Sequence, residues 1–71
     1  MSIDDLAWYP SASGEYCEHD GVTYSYVVRG GYYFVIAKDG ASGTEYNCTD
    51  VHTNEQAKRY ILKLIKEMKN D

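Results

Sequence analysis

Between Tyr24 and Lys38 the chain reads Tyr-Ser-Tyr-Val-Val-Arg-Gly-Gly-Tyr-Tyr-Phe-Val-Ile-Ala-Lys. Two runs of aromatic and β-branched residues, both strand-forming, flank a Gly-Gly pair. Gly30 and Gly31 can each hold the positive φ that the two central positions of a type I′ hairpin turn require. A two-residue turn fixes the register. It sets Val28 against Tyr33, Tyr26 against Val35 and Tyr24 against Ala37 on one face. On the other it sets Arg29 against Tyr32, Val27 against Phe34 and Ser25 against Ile36. Both faces of this hairpin are apolar. One helix can cover one of them, so the second face needs another cover or is a binding surface.

The flanking sequence supplies the rest of a small sheet and one helix. Val22–Arg29 alternates with period two and follows an Asp20-Gly21 turn. Residues 39–43, Asp-Gly-Ala-Ser-Gly, predict a second turn. Thr44–Thr49 then reads as a short third strand, with Tyr46 and Cys48 on its apolar side; polar Glu45 and Asn47 between them suggest a sheet edge. Near the start, Leu6–Tyr9 reads as an extended segment ended by Pro10, and Glu15-Tyr16-Cys17 can add a few strand residues. Thr53-Asn54-Glu55-Gln56 is a capping box that opens a helix. Ala57, Ile61, Leu64, Ile65 and Met68 fall on one helical stripe, Tyr60 borders it, and Leu62 lies off it. The expected fold is α+β: a three- to four-stranded antiparallel sheet with one C-terminal helix packed on one face. A single domain spans residues 1–71, with an N-terminal extended segment (1–21), the antiparallel sheet (22–49) and the helix (53–69).

Seventy-one residues suffice for one small domain, and the 44% hydrophobic content with a single proline argues against disorder. No apolar run approaches the roughly 20 residues of a membrane-spanning helix. The acidic start, Met-Ser-Ile-Asp-Asp-Leu, has neither a basic nor a long apolar region, so no secretory signal is expected and the expected location is cytoplasmic. The net charge is −4, unevenly spread. Residues 1–50 hold eight acids against Arg29 and Lys38, a net of −6, and residues 51–71 hold five cations against three acids, a net of +2. Such acidity repels phosphates and suits a basic protein partner, so a protein partner is expected and nucleic acid is not.

The candidate site is the second hairpin face: Val27, Arg29, Tyr32, Phe34 and Ile36. Trp8 and Tyr9 either fold back to cover it or join it as aromatic anchors of an interface. Glu15, Glu18 and Asp20 supply a polar rim suited to a basic surface. A homodimer that hides the same face is a third possibility. The many tyrosines could stack nucleic-acid bases, but the sheet lacks the surrounding cations that use requires. Cys17, His19, Cys48 and His52 contain the ligand types of a tetrahedral zinc site, yet their spacing matches no common structural zinc pattern. Neither metal nor cofactor is expected, and the two cysteines are expected to be free thiols. No nucleophile signature and no phosphate-binding glycine loop is present, so catalysis is not expected.

The order from Tyr24 onward resembles a known domain type. A strand, Gly-Gly, an aromatic strand, an Asp-Gly turn, a third strand and then Thr53-Asn54-Glu55-Gln56-Ala57 opening a helix is similar to the three-stranded-sheet-plus-helix domains. These include the arm-binding domains of tyrosine integrases and the plant ethylene-response-factor type. The resemblance covers residues 22–70 and implies a sheet that reads DNA with basic and aromatic residues. Here Arg29 and Lys38 alone match that use, which makes a small nucleic-acid-binding domain the alternative function. In size, acidity and lack of catalytic motif the chain also looks like the small inhibitors that bacteriophages and mobile elements carry against host defence, including anti-CRISPR and anti-restriction proteins. That resemblance implies a module that sterically blocks a host defence or nucleic-acid-handling protein.

Overall fold

A computed structural model describes residues 2–69, except for the side chains of Met68 and Lys69. A single 3-10 turn, Ile3–Asp5, precedes five strands: β1 (Tyr9–Ser11), β2 (Gly14–His19), β3 (Val22–Arg29), β4 (Tyr32–Asp39) and β5 (Ser42–Cys48). The helix α1 (Asn54–Lys69) follows. The strands form one antiparallel meander in the order β1-β2-β3-β4-β5. The class is the α+β expected, but the sheet is larger than three or four strands. β1 and β2 come from the N-terminal segment, which in sequence reads as extended, with a few strand residues at Glu15-Tyr16-Cys17.

The reason lies at Pro10 and in the short link after it. Pro10 sits inside β1, opposite Glu15, rather than ending it. An edge strand can hold proline because one side of its ladder has no partner. Ser11 pairs with Gly14, so only Ala12 and Ser13 separate β1 from β2. The central hairpin keeps the register its Gly-Gly turn dictates, from Arg29 opposite Tyr32 to Tyr24 opposite Ala37. Gly30 and Gly31 have φ of 57° and 85°, the paired positive values of a type I′ turn. Asp39 pairs with Ser42, so the second turn shrinks to Gly40-Ala41 and β5 starts two residues before Thr44.

The helix lies across the face that carries Tyr24, Tyr26, Val35 and Ala37. Those residues form one buried cluster with Cys17, Cys48, Val51, Ala57, Ile61, Leu64 and Ile65. The helical stripe therefore faces the sheet as its spacing requires, and Leu62 is only half-buried; the Met68 side chain lies outside the described residues. The cap closes as the sequence suggests, with one shift. The Gln56 backbone N–H donates to Thr53 Oγ1 at 3.1 Å, while Gln56 Oε1 accepts from the backbone N–H of His52, one residue before Thr53, at 2.7 Å. Leu6 and Trp8 pack against the same cluster, and Trp8 Nε1 donates to the Ile3 carbonyl at 2.8 Å. The start of the chain thus closes the helix side of the sheet. No described helix is long and apolar enough to cross a membrane.

Candidate functional site

Strand pairing lays out the other face of the sheet as a grid. Across its middle run Tyr9, Tyr16, Ser25, Ile36 and Glu45, each opposite the next on neighbouring strands. The adjacent row is Ser11, Gly14, Val27, Phe34 and Asn47. Glu18, Thr23, Lys38 and Gly43 form a row towards one end, and Arg29 and Tyr32 lie at the other. The helix occupies the opposite side, and among the described residues no element crosses this one. Val27, Phe34 and Ile36 are therefore only half-buried although they sit on the two central-most apolar strands. Tyr9 is 50% exposed and Tyr32 63% exposed. The Tyr9 and Tyr16 rings lie 5.5 Å apart, extending the aromatic surface to the β1 edge.

The charges on this face balance. Arg29 and Lys38 face Glu18 and Glu45 across a patch of aromatic and aliphatic carbon. The Arg29 guanidinium lies 5.4 Å from the centre of the Phe34 ring and 3.7 Å from Glu45 Oε2. Both partners of that ion pair are exposed, so it adds little stability. Its consequence is local: the cation nearest the aromatic centre is already shared between a ring and a carboxylate. A sheet built to follow a phosphate backbone carries surplus cations, and this one has none.

Glu15 lies on the helix side, where it joins β2, β3 and α1. It accepts a hydrogen bond from the buried Tyr26 hydroxyl, and Lys58 Nζ stands 3.0 Å from its Oε2. Lys58 Nζ also lies 5.2 Å from the centre of the Trp8 ring. The Tyr26 hydrogen bond, and then Lys58, hold the Glu15 carboxyl below its ordinary value of 4.5. Burial first, then Glu15, pushes the Tyr26 hydroxyl up. Because the Glu15 value is depressed in the folded state, its contribution to stability is complete above the ordinary carboxylate range. That contribution falls away as pH drops through the folded value. Glu15→Gln should therefore be less stable than the parent at pH 7, with the difference shrinking between about pH 5 and pH 3. Urea melts across that range measure it; a gap that widens on acidification contradicts the assignment.

Seven of the ten sequence-nominated residues share the uncovered face: Tyr9, Glu18, Val27, Arg29, Tyr32, Phe34 and Ile36. Trp8 and Glu15 are on the helix side, and Asp20 is in the β2–β3 turn with φ of 51°. Trp8 therefore neither covers the face nor extends it. Tyr16 belongs to it and was passed over. The signal was the alternation Glu15-Tyr16-Cys17-Glu18, in which Glu15 and Glu18 have opposite parity and Tyr16 stands with Glu18.

Cys17 and Cys48 are buried and free. Their strands are three inter-strand spacings apart, about 14 Å, too far for a disulfide or a shared metal. Burial pushes the Cys17 thiol up to about 11, which leaves it protonated and unreactive at neutral pH. His19 Nε2 lies 3.3 Å from Asp20 Oδ2 without making a hydrogen bond, and His52 is exposed before the helix. Among the described residues no group of three or more His, Cys, Asp or Glu is arranged to hold a metal ion. Comparison with known proteins finds no matching family model, no matching curated protein and no matching solved structure.

Proposed function

We propose that the protein acts by binding another protein through the uncovered face of its sheet, without catalysis. The observation that carries this reading is the incomplete burial of Val27, Phe34 and Ile36 on the central hairpin, flanked by exposed Tyr9 and Tyr32. A contiguous aromatic and aliphatic patch rimmed by charge is the usual form of a protein interface. The net charge of −4 suits a partner with a basic surface, such as a nucleic-acid-handling protein. In its most specific form the reading is a cytoplasmic inhibitor, of the kind bacteriophages and mobile elements carry, that sterically blocks a host defence protein.

The test compares tagged parent and Phe34→Asp protein in pull-downs from nuclease-treated bacterial lysate, read by mass spectrometry and light scattering. The expected result is one stoichiometric protein partner for the parent and its loss from the variant. Truncation of a central aromatic anchor commonly costs about 2 kcal/mol or more, roughly 30-fold in affinity, and a buried carboxylate costs further. The variant should keep its helical circular dichroism. Unfolding of Phe34→Asp would make this face part of the core, and recovery of nucleic acid alone would favour the DNA-binding alternative. A bare homodimer dissolved by the substitution would assign the face to self-association.

A further inference from the structure

The two edges of the sheet differ. β1 has three residues and contains Pro10, so it offers little for another strand to pair with. β5 has seven residues, each with a partner on β4 from Cys48 opposite Tyr33 to Ser42 opposite Asp39. It contains no proline, no lysine and no bulge, and Glu45 is the one charge that guards it. Ser42, Gly43, Thr44, Glu45 and Asn47 are exposed, and β5 is the last strand of the sheet. Among the described residues no strand pairs with its outer row of backbone N–H and C=O groups, which is open to a further strand.

The charges around this edge select the strand. Glu45 stands at the middle of β5, with Asp39 just before the turn that leads into it and Asp50 just beyond its end. Arg29 approaches Glu45 from the inner side, at 3.7 Å. A second copy is poorly suited to the outer side. In the antiparallel register that pairs all seven residues, Glu45 would oppose its own equivalent, and like charges directly opposite are destabilising. The alternate side chains, Ser42, Thr44, Tyr46 and Cys48, point to the helix side; the first two are exposed, and the Tyr46 ring lies 6.1 Å from that of Tyr60. The complementary strand thus places Lys or Arg beside Glu45 and apolar residues beside Tyr46.

We propose that β5 is a docking edge for an extended, basic-apolar alternating segment of another protein, added as a sixth antiparallel strand. The edge shares Glu45 with the uncovered face but offers backbone groups in place of an aromatic patch. A peptide response at residues 42–48 and loss of a partner from Phe34→Asp are therefore read separately. The test uses the full chain, isotope-labelled for NMR, with three capped octapeptides: alternating Val-Lys, alternating Val-Glu, and Val-Lys interrupted by proline. The expected result is shift changes along residues 42–48 with Val-Lys alone, amide exchange there slowed about tenfold, and weakening at higher salt. Glu45→Lys, a substitution at an exposed site, should shift the preference to Val-Glu while leaving the circular dichroism unchanged. Three results would overturn the proposal: equal response to all peptides, response confined to the Phe34 face, or protection of 42–48 on raising protein concentration alone. The last would assign the edge to a second copy.

Discussion

Gly14→Ala is expected to destabilise the protein by about 3 kcal/mol or more in urea denaturation, because a methyl group there meets the closest contact found at any glycine of this chain. A Cβ at Gly14 would lie 2.0 Å from the Tyr26 carbonyl oxygen and 3.0 Å from the carbonyl carbon. No real contact is that short, and the nearest atom is backbone, which cannot swing aside as a side-chain tip would; Cδ1 of the buried Tyr26 ring, also 3.0 Å away, adds to the conflict. Gly14 begins β2 opposite Val27, and next to it the Val28 N–H donates to the Ser13 carbonyl at 3.2 Å. Relief would have to come from separating β2 from β3 where Tyr26 is buried and bonded to Glu15. The penalty is therefore steric and arises in the folded state, not in a left-handed backbone conformation. For a domain of 71 residues, total stability is on the order of 4–10 kcal/mol, so the loss is a large share of it. Gly43→Ala is the control. It adds the same methyl to a strand where the nearest atoms are 4.0 Å away, and the expected change is within about 0.5 kcal/mol. Equal effects at both positions would contradict the steric argument.

The parts of the fold that were legible are those where one local signal decides. Gly30-Gly31 can turn in two residues, and once it does, the pairing of every residue from Tyr24 to Ala37 follows. The spacing of Ala57, Ile61, Leu64 and Ile65 sets which side of the helix meets the sheet. The N-terminal quarter has no such signal. Pro10 weakens a strand reading unless the strand is already known to be an edge, and that depends on β2 pairing with β3. Gly14 reads as a breaker, yet it is required because another backbone passes against it. The candidate face was legible as a consequence of the hairpin, since two apolar faces meet one helix. Its extent was not. Tyr9 and Tyr16 join it only through the β1–β2 pairing, and Trp8 leaves it because its indole finds the Ile3 carbonyl and the Lys58 ammonium on the other side.

Ile61→Ala is expected to cost about 2–5 kcal/mol, against about 1 kcal/mol or less for Leu62→Ala, its neighbour in sequence. Ile61 is fully buried between α1 and the sheet, while Leu62 sits half-buried in an open hollow with Ser2, Ile3 and Arg59. Urea denaturation at constant m-value measures both, and a Leu62→Ala loss equal to that of Ile61→Ala would place the helix in a different rotation. The size of the Ile61 effect follows from the one-sidedness of the molecule. The uncovered face leaves Val27, Phe34 and Ile36 partly in water, so burial is concentrated where α1 meets Tyr24, Tyr26 and Val35. A small chain has few such residues, and each carries a correspondingly large fraction of its stability. Binding should respond in a different way. Below its unfolding transition, Ile61→Ala should hold a protein partner with unchanged affinity, because the side chain faces away from the proposed interface. Phe34→Asp should lose the partner while remaining folded. The double contrast separates a face that holds the protein together from a face kept open for something else.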